Sequence, residues 1–327
     1  MTPQSELVGL SHDLMTPAER VDLLDRTIGP YVAEGKPKNT KRAYDSDKKA
    51  WERFCALSGI PDTAVTEGTF GTFVAWMIRE GKAPATIRRR LIGVRVAMKN
   101  AGTPIPASVI EMALEALLRE ERALAEAGET RGRGKAPAFT VPELRAMSEA
   151  CPESLAGARD RALILIGFAI GGRRSEIAHL NVPDLVDVPE GLLATVRFGK
   201  TGRREVAIPY GQHLATCPVR TWRAWLDASG LEDGPALRQV DRHGKLRGAL
   251  SPPGIGDIVT RAAARAGLGK RTAHGLRSGM ATEARRAGHD AITIAPQGGW
   301  KPHSREMLGY MQIIDRWTDN PLRGIGL

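Results

Sequence analysis

The 327 residues include only three cysteines and four tyrosines, and aromatics make up 5% of the chain. Cys55, Cys151 and Cys217 are odd in number and widely spaced, which argues against a disulfide-stapled secreted fold and against a zinc ribbon. The longest uninterrupted apolar run, ALILIGFAI at 162–170, is about half of what a bilayer crossing needs and reads as a buried helix. At the start of the chain, MTPQSELVGLSHDLMTPAERVD places acids and polar groups where an export signal has a basic start and an apolar middle. A reducing cytoplasm and no membrane partner are therefore expected. There is no internal repeat and no low-complexity tract, which excludes solenoids and compositionally biased segments.

Positive charge, by contrast, is abundant. Lys and Arg number 47 against 37 Asp and Glu, a formal charge of +10 with a pI near 9.8. Such a surplus attracts polyanions, and nucleic acid is the leading partner. Arginine outnumbers lysine 35 to 12, which suits bidentate phosphate contacts. The remaining composition, 42% hydrophobic and 26% charged, is that of an ordinary globular protein, and the length favours two domains with separate cores.

Residues 1–35 read as an N-terminal extension and 36–128 as a helical unit. In NTKRAYDSDKKAWERFCALSG, Thr40 is expected to cap a helix with apolar positions at Tyr44, Trp51 and Cys55 and with Gly59 past its end. TFGTFVAWMIREG is a second helix. In a third, PATIRRRLIGVRVAMKNAG, Ile87, Leu91, Val94 and Met98 form an apolar stripe while Arg88, Arg95 and Lys99 share a different face, so one helix both packs and presents cations. Solvated charge is the plainer explanation of those cations. ASVIEMALEALLREERALAEAG closes the unit at Gly128. Residues 129–140, rich in Gly, Pro and cations, are the linker candidate. Lys41, Arg42, Arg131 and Arg133 join the third-helix cations as candidate DNA contacts. Residues 141–327 mix helices with a little strand: LLATVRFGKTGRREVAIPY alternates on both sides of GKTGRR, a hairpin with its turn near Thr201 and Gly202. The fold class expected is mainly α with a small β-sheet.

Four places in this second segment carry chemistry. In GGRRSEIAHL two glycines break a buried helix and Arg173 follows at once; the turn and the next helix start can aim that arginine at an anion, although Ser175 as an N-cap with Glu176 in the first turn is a sufficient structural account of those two. Lys200 ends the strand TVRFGK, where it is either a solvated tip charge or an ammonium able to protonate a leaving oxygen. In TAHGLRSGMATEARRAG, His274 and Arg277 are three apart on one helical face, and no further His or Cys lies at zinc spacing. An imidazole beside a guanidinium suits a phosphate. Last, GGWKPHSREMLGYMQ carries Trp300 and Tyr310. No carboxylate cluster for Mg²⁺ accompanies these groups, so charge building up on phosphorus would be neutralised by Arg and Lys, and the nucleophile would be Tyr310, with flanking guanidiniums favouring phenolate.

Arg173, Lys200, His274-x-x-Arg277, Trp300 and Tyr310, in that order, resemble the tyrosine recombinases, or lambda integrase family, most closely the Cre-like and phage-type integrases. GGRRSEIAHL, GKTGRREVAIP, HGLRSGMATEARRAG and GGWKPHSREMLGYM look like its boxes, and the helical segment from 36 to 128 is similar to its SAM-like core-binding domain; the likeness runs from about 36 to 315. It implies a two-domain C-shaped clamp on double-stranded DNA and site-specific cutting and rejoining without metal, cofactor or ATP. Arg173 and Arg277 would hold the scissile phosphate, Lys200 would protonate the 5′ oxygen, and His274 would move a proton with Tyr310. Trp300 would donate through its indole N–H, Glu176 would orient the pocket, and Tyr310 would form a 3′-phosphotyrosyl bond. It also implies a homotetramer on synapsed DNA, assembled from monomers or weak dimers in a bacterial or phage setting on the nucleoid, with the tail segment MQIIDRW docked on a neighbouring copy. The Trp300–Tyr310 interval is one residue longer than the family's, which leaves His303 as the alternative to Trp300. A type IB topoisomerase, which relaxes supercoils with the same chemistry, and a DNA-binding protein without catalysis are the competing functions.

Overall fold

A computed structural model describes residues 16, 18–19, 21–23, 38–132, 134, 136–199, 202–302, 304–310 and 322. Most of the 1–35 extension and the MQIIDRW segment lie outside the described residues, as do Arg133, Lys200 and His303. The chain divides into two compact units, Met1–Gly134 and Lys135–Leu327, at a point inside the 129–140 stretch.

The first unit contains α1 (Lys38–Ser58), α2 (Glu67–Arg79), α3 (Pro84–Asn100) and α4 (Ala107–Glu126). Its core is built on aromatic contact: Trp51 is 4.8 Å from Phe70 and 5.2 Å from Phe73 between ring centroids, and its indole N–H donates to the Asp62 carbonyl at 2.8 Å. The apolar stripe of α3 is wholly inward, with Ile87, Leu91, Val94 and Met98 all buried. Pro84 opens α3, and Thr66 caps α2 by accepting from Thr69 N. Thr40 is not a cap: α1 already begins at Lys38, which puts Thr40 inside the first turn. Gly59 and Gly128 take positive φ just past α1 and α4, so the amides of Ile60 and Glu129 reach back to the carbonyls of Cys55 and Leu124. Where α1 meets α3, Gly93 makes room for the buried Asp47 carboxylate, to which Arg89 Nη1 donates at 2.6 Å; a Cβ at 93 would lie 2.4 Å from that carboxylate.

The second unit runs α5 (Val141–Glu149), α6 (Leu155–Ala169), α7 (Arg174–Ala178), β1 (Leu185–Val188), β2 (Gly191–Val196), β3 (Arg204–Pro209), α8 (Pro218–Ser229), β4 (Arg238–Val240), β5 (Leu246–Ala249), α9 (Pro252–Arg265), α10 (His274–Arg286), α11 (Ala291–Gly298) and α12 (Arg305–Tyr310). α6 carries the ALILIGFAI run and packs against α5, α8, α9 and α10, which is why it is apolar on nearly every side. The expected hairpin is β2–β3, antiparallel and in register from Gly191↔Pro209 to Val196↔Arg204. β1 adds a third strand, and β4–β5 form a separate two-stranded sheet. The fold is mainly α with small antiparallel sheets, as expected. No helix among the described residues is long and apolar enough to cross a membrane. All three cysteines are free and buried.

Candidate active site

The site begins where α6 ends. Gly171 turns the chain at φ 54°, and a Cβ there would stand 2.5 Å from Met280 and 3.1 Å from the Gly298 backbone. Only glycine lets those segments close. Arg173 follows as the cap residue of α7: its main-chain N–H donates to Glu176 Oε2 at 3.1 Å and its guanidinium to Glu176 Oε1 at 2.8 Å. Ser175 is therefore not the N-cap; it lies within the helix, and its carbonyl is 2.6 Å from His179 Nδ1. Glu176 is buried and also accepts from Arg204 Nη2 at 2.9 Å. Burial raises its pKa, but the hydrogen bonds from Arg204 and Arg173 outweigh this and hold the carboxyl below the usual range.

α10 supplies the next two groups. Pro137 and Phe139 lie against this helix at Gly275 and Gly279, where added Cβ atoms would come 2.6 and 2.4 Å from their carbonyls, and Phe139 N donates to Gly275 O at 3.1 Å. His274 opens the helix on its exposed side; Arg277, one turn on, is fully buried. Arg277 Nη1 donates to the carbonyls of Gly171 at 2.7 Å and Gly298 at 2.5 Å, which joins the ends of α6 and α11 to α10. Its Nε and Nη2 have no hydrogen-bond partner among the described residues. Burial first, and the Arg173 charge second, lower its pKa to about 10, which leaves it cationic at neutral pH.

Trp300 lies directly against that guanidinium, with Arg277 Cζ 3.8 Å from the ring centroid. Gly298 permits this, since a Cβ there would meet the indole at 2.0 Å, and Gly299 ends α11 in the left-handed conformation at φ 65°. The indole is 6% exposed, and its N–H has no partner among the described residues. Ser304 N donates to Lys301 O at 3.1 Å just before α12. Tyr310, at the end of α12, is half-buried, with its ring 5.4 Å from Trp300 and its Oη 2.7 Å from His274 Nε2.

Charges of both signs near Tyr310 oppose each other. Glu306, one turn earlier, sets its Oε1 3.6 Å from Arg173 Nη2 and 3.7 Å from Arg277 Nη2, so a carboxylate stands between the two guanidiniums. Burial and then Glu306 raise the Tyr310 pKa, against the lowering pull of Arg277 and Arg173. The guanidiniums favour phenolate, as expected, but burial and Glu306 outweigh them, so the group is a phenol at neutral pH. His274 is shifted down, first by desolvation and then by Arg277, so its ring is neutral at pH 7 and can accept the phenolic proton.

The structure thus brings together Arg173, Glu176, His274, Arg277, Trp300 and Tyr310. The candidate DNA contacts are placed more unevenly. Lys41 and Arg42 on α1 and Arg95 and Lys99 on α3 are exposed; Arg88 is exposed but paired with Glu121 at 2.8 Å. Arg131 is bound to Glu120 at 2.8 Å and to the Ile78 carbonyl at 3.1 Å, so it belongs to the first unit and not to an unattached tether. Arg204 and Glu306 did not stand out in sequence. Arg204 had one signal: it is in phase with the inward Val206 and Ile208 along β3, an odd place for a charge without a partner.

Comparison with known proteins bears on this geometry. The model of the phage integrase family matches residues 138–310. An integrase/recombinase XerD homologue of Selenomonas ruminantium is 30% identical over 304 residues, 89% of this chain and 86% of that protein. Tyrosine recombinase XerC of Mycobacterium bovis is 27% identical over 85% of this chain and 86% of its own length. Among solved structures, lambda integrase bound to DNA superposes with a TM-score of 0.59 at 19% identity, covering 88% of this chain and 94% of that one. The Tn1549 transposon integrase in complex with transposon end DNA gives 0.61 at 16% identity, over 92% and 96%. The family match ends on Tyr310 itself and begins where the chain meets α10, and with a relative matched along most of both sequences, this chain belongs to the phage integrase family of tyrosine recombinases.

Proposed function

We propose that the protein is a site-specific DNA recombinase that cuts duplex DNA with Tyr310, keeps the broken end as a 3′-phosphotyrosyl bond and rejoins it to a different 5′ end. The 2.7 Å contact between Tyr310 Oη and His274 Nε2, beside guanidiniums already drawn to one anion, carries this proposal. Arg173 and Arg277 hold the non-bridging oxygens of the scissile phosphate and neutralise the charge that grows on a five-coordinate phosphorus. The phosphate must displace the Glu306 carboxylate to do so. That exchange puts the phosphate anion in the place of the carboxylate, and His274 accepts the phenolic proton as the Oη–P bond forms. The P–O5′ bond breaks, and Lys200 donates a proton to the leaving oxygen. Because the phosphodiester becomes a phosphotyrosyl ester, its energy is retained, and a 5′-hydroxyl from a second duplex reverses the chemistry without ATP. Trp300 packs on Arg277 and turns its indole N–H to the phosphate, and Glu176 fixes Arg173.

In this scheme residues 36–128 grip the DNA, 129–140 link the units and 141–327 carry out the cleavage. Arg88, Arg95, Lys99, Lys41, Arg42, Arg131 and Arg133 contact the phosphate backbone, which positions the duplex without reading its sequence. Four copies act on two synapsed duplexes in a bacterial cytoplasm, on nucleoid DNA. The test is a plasmid carrying two direct copies of the preferred site, recovered by selection from random-sequence DNA. Two product circles are expected; relaxed plasmid with no exchange would refute recombination.

A further inference from the structure

On the reading that this site cleaves DNA, we propose that Arg204 is a positioning residue of the cleavage step, holding the Glu176 carboxylate, and through it Arg173, against the ends of α6 and α11.

Arg204 is the first residue of β3 and its side chain is only 10% exposed. Its guanidinium donates in three directions: Nη2 to Glu176 Oε2 at 2.9 Å and to the Ile170 carbonyl at 3.2 Å, and Nε to the Gln297 carbonyl at 3.3 Å. Ile170 precedes the Gly-Gly turn that presents Arg173, and Gln297 precedes the Gly-Gly turn that presents Trp300. One side chain from the hairpin therefore holds both turns. Two further glycines make space for it: a Cβ at Gly299 would lie 3.0 Å from Arg204 Nη1, and one at Gly199 would lie 3.3 Å from the same atom. Gly199, which immediately precedes Lys200 in sequence, therefore lies close to the Arg204 guanidinium.

The arrangement divides the Glu176 carboxylate between two arginines. Oε1 accepts from Arg173 Nη1, and Oε2 accepts from Arg204 Nη2 and from the Arg173 main chain. A buried carboxylate with only one guanidinium is driven toward its neutral form, and a protonated Glu176 no longer draws Arg173 to a fixed position. Arg204 is the largest of the influences keeping Glu176 ionised. Among the described residues its hydrogen bonds go to Glu176, Ile170 and Gln297 and not to Tyr310, so its effect on cleavage passes through Glu176 and the two turns.

The experiment measures single-turnover cleavage of a nicked duplex carrying the selected site, by the full chain, at about pH 6 and about pH 8, together with duplex affinity and thermal unfolding. Arg204→Gln should cleave more slowly by roughly 10- to 100-fold, the order expected for a small misplacement of reacting groups, with binding changed much less. The deficit should be larger at the lower pH, where Glu176 takes up a proton. Arg204→Lys, which keeps the charge, should recover part of the rate, and Glu176→Gln/Arg204→Gln should be no slower than the worse single variant and should lose the added pH dependence. Cleavage by Arg204→Gln equal to wild type at both pH values overturns the proposal. So does a loss that is the same at both pH values and additive with Glu176→Gln, because Arg204 would then act by general stability alone. An absence of cleavage in wild type itself would instead refute the proposed recombinase, which keeps the two failures distinct.

Discussion

His274 Nε2 and Tyr310 Oη are 2.7 Å apart although they open α10 and end α12, and the buried Arg277 lies one turn beyond His274. A neutral imidazole facing a protonated phenol is a proton acceptor set beside its donor, and that relationship fixes the expected pH dependence. Desolvation and Arg277 disfavour the imidazolium, so His274 loses its proton below the ordinary imidazole value of about 6.5. The cleavage rate should hold level from neutral pH down through about 6.5 and fall only below it; His274→Gln should be slow and lack that fall. The linkage runs the same way: the unfolded chain takes up this proton first, so stability declines as pH drops from about 6.5 through the folded value. Rate against pH for the two proteins checks the assignment, and an identical acid limb in His274→Gln would assign the limb to another group.

Glu306 stands where the phosphate is expected. Glu306→Gln removes its charge from between Arg173 and Arg277 and should tighten binding of the cleavage-site duplex by roughly twofold to fivefold, the scale of a half-exposed ion pair. Fluorescence anisotropy at moderate salt, using Tyr310→Phe as the common background, measures this. Weaker binding would mean that Glu306 supports the site instead of competing for it.

Gly298→Ala is expected to be a severe change for so small a side chain. Its methyl would enter the Trp300 ring, which must leave its stack on Arg277. The overpacking and lost cation–π contact together should cost about 2–4 kcal/mol and show as a lower Tm with impaired cleavage. An unchanged Tm would mean the indole has another place to sit.

Trp51→Ala should cost about 3–5 kcal/mol, because a fully buried indole in contact with Phe54, Phe70 and Phe73 leaves a cavity that cannot collapse. Hydrogen exchange should speed up in α1–α4 while α6 and α10 keep their protection. Equal loss of protection in both units would show that they do not unfold separately.

Residue type and order made much of this molecule legible. Arg173, His274, Arg277, Trp300 and Tyr310 stand out because cations, an imidazole and a phenol recur next to glycine turns and helix starts, and the α3 stripe and the β2–β3 alternation follow helical and strand periods. What stayed hidden depends on distant partners. Arg204 and Glu306 look like solvated charges until folding brings them to Glu176 and to the Arg173–Arg277 pair. The protonated state of Tyr310 depends on burial outweighing two guanidiniums, a balance with no local signature. Arg173 replaces Ser175 as the cap because the Glu176 carboxylate reaches its main-chain N–H. β4 and β5 span three and four residues, too few for alternation to show.

Tyr310 is expected to become covalently joined to DNA during cleavage. The most direct measurement is mass spectrometry of peptides from wild-type protein trapped on a nicked duplex carrying the selected site. The nucleotide remnant should be found on the peptide containing Tyr310, attached to that phenol, and Tyr310→Phe should yield no adduct. A remnant on any other residue, or an adduct that survives in Tyr310→Phe, would contradict it.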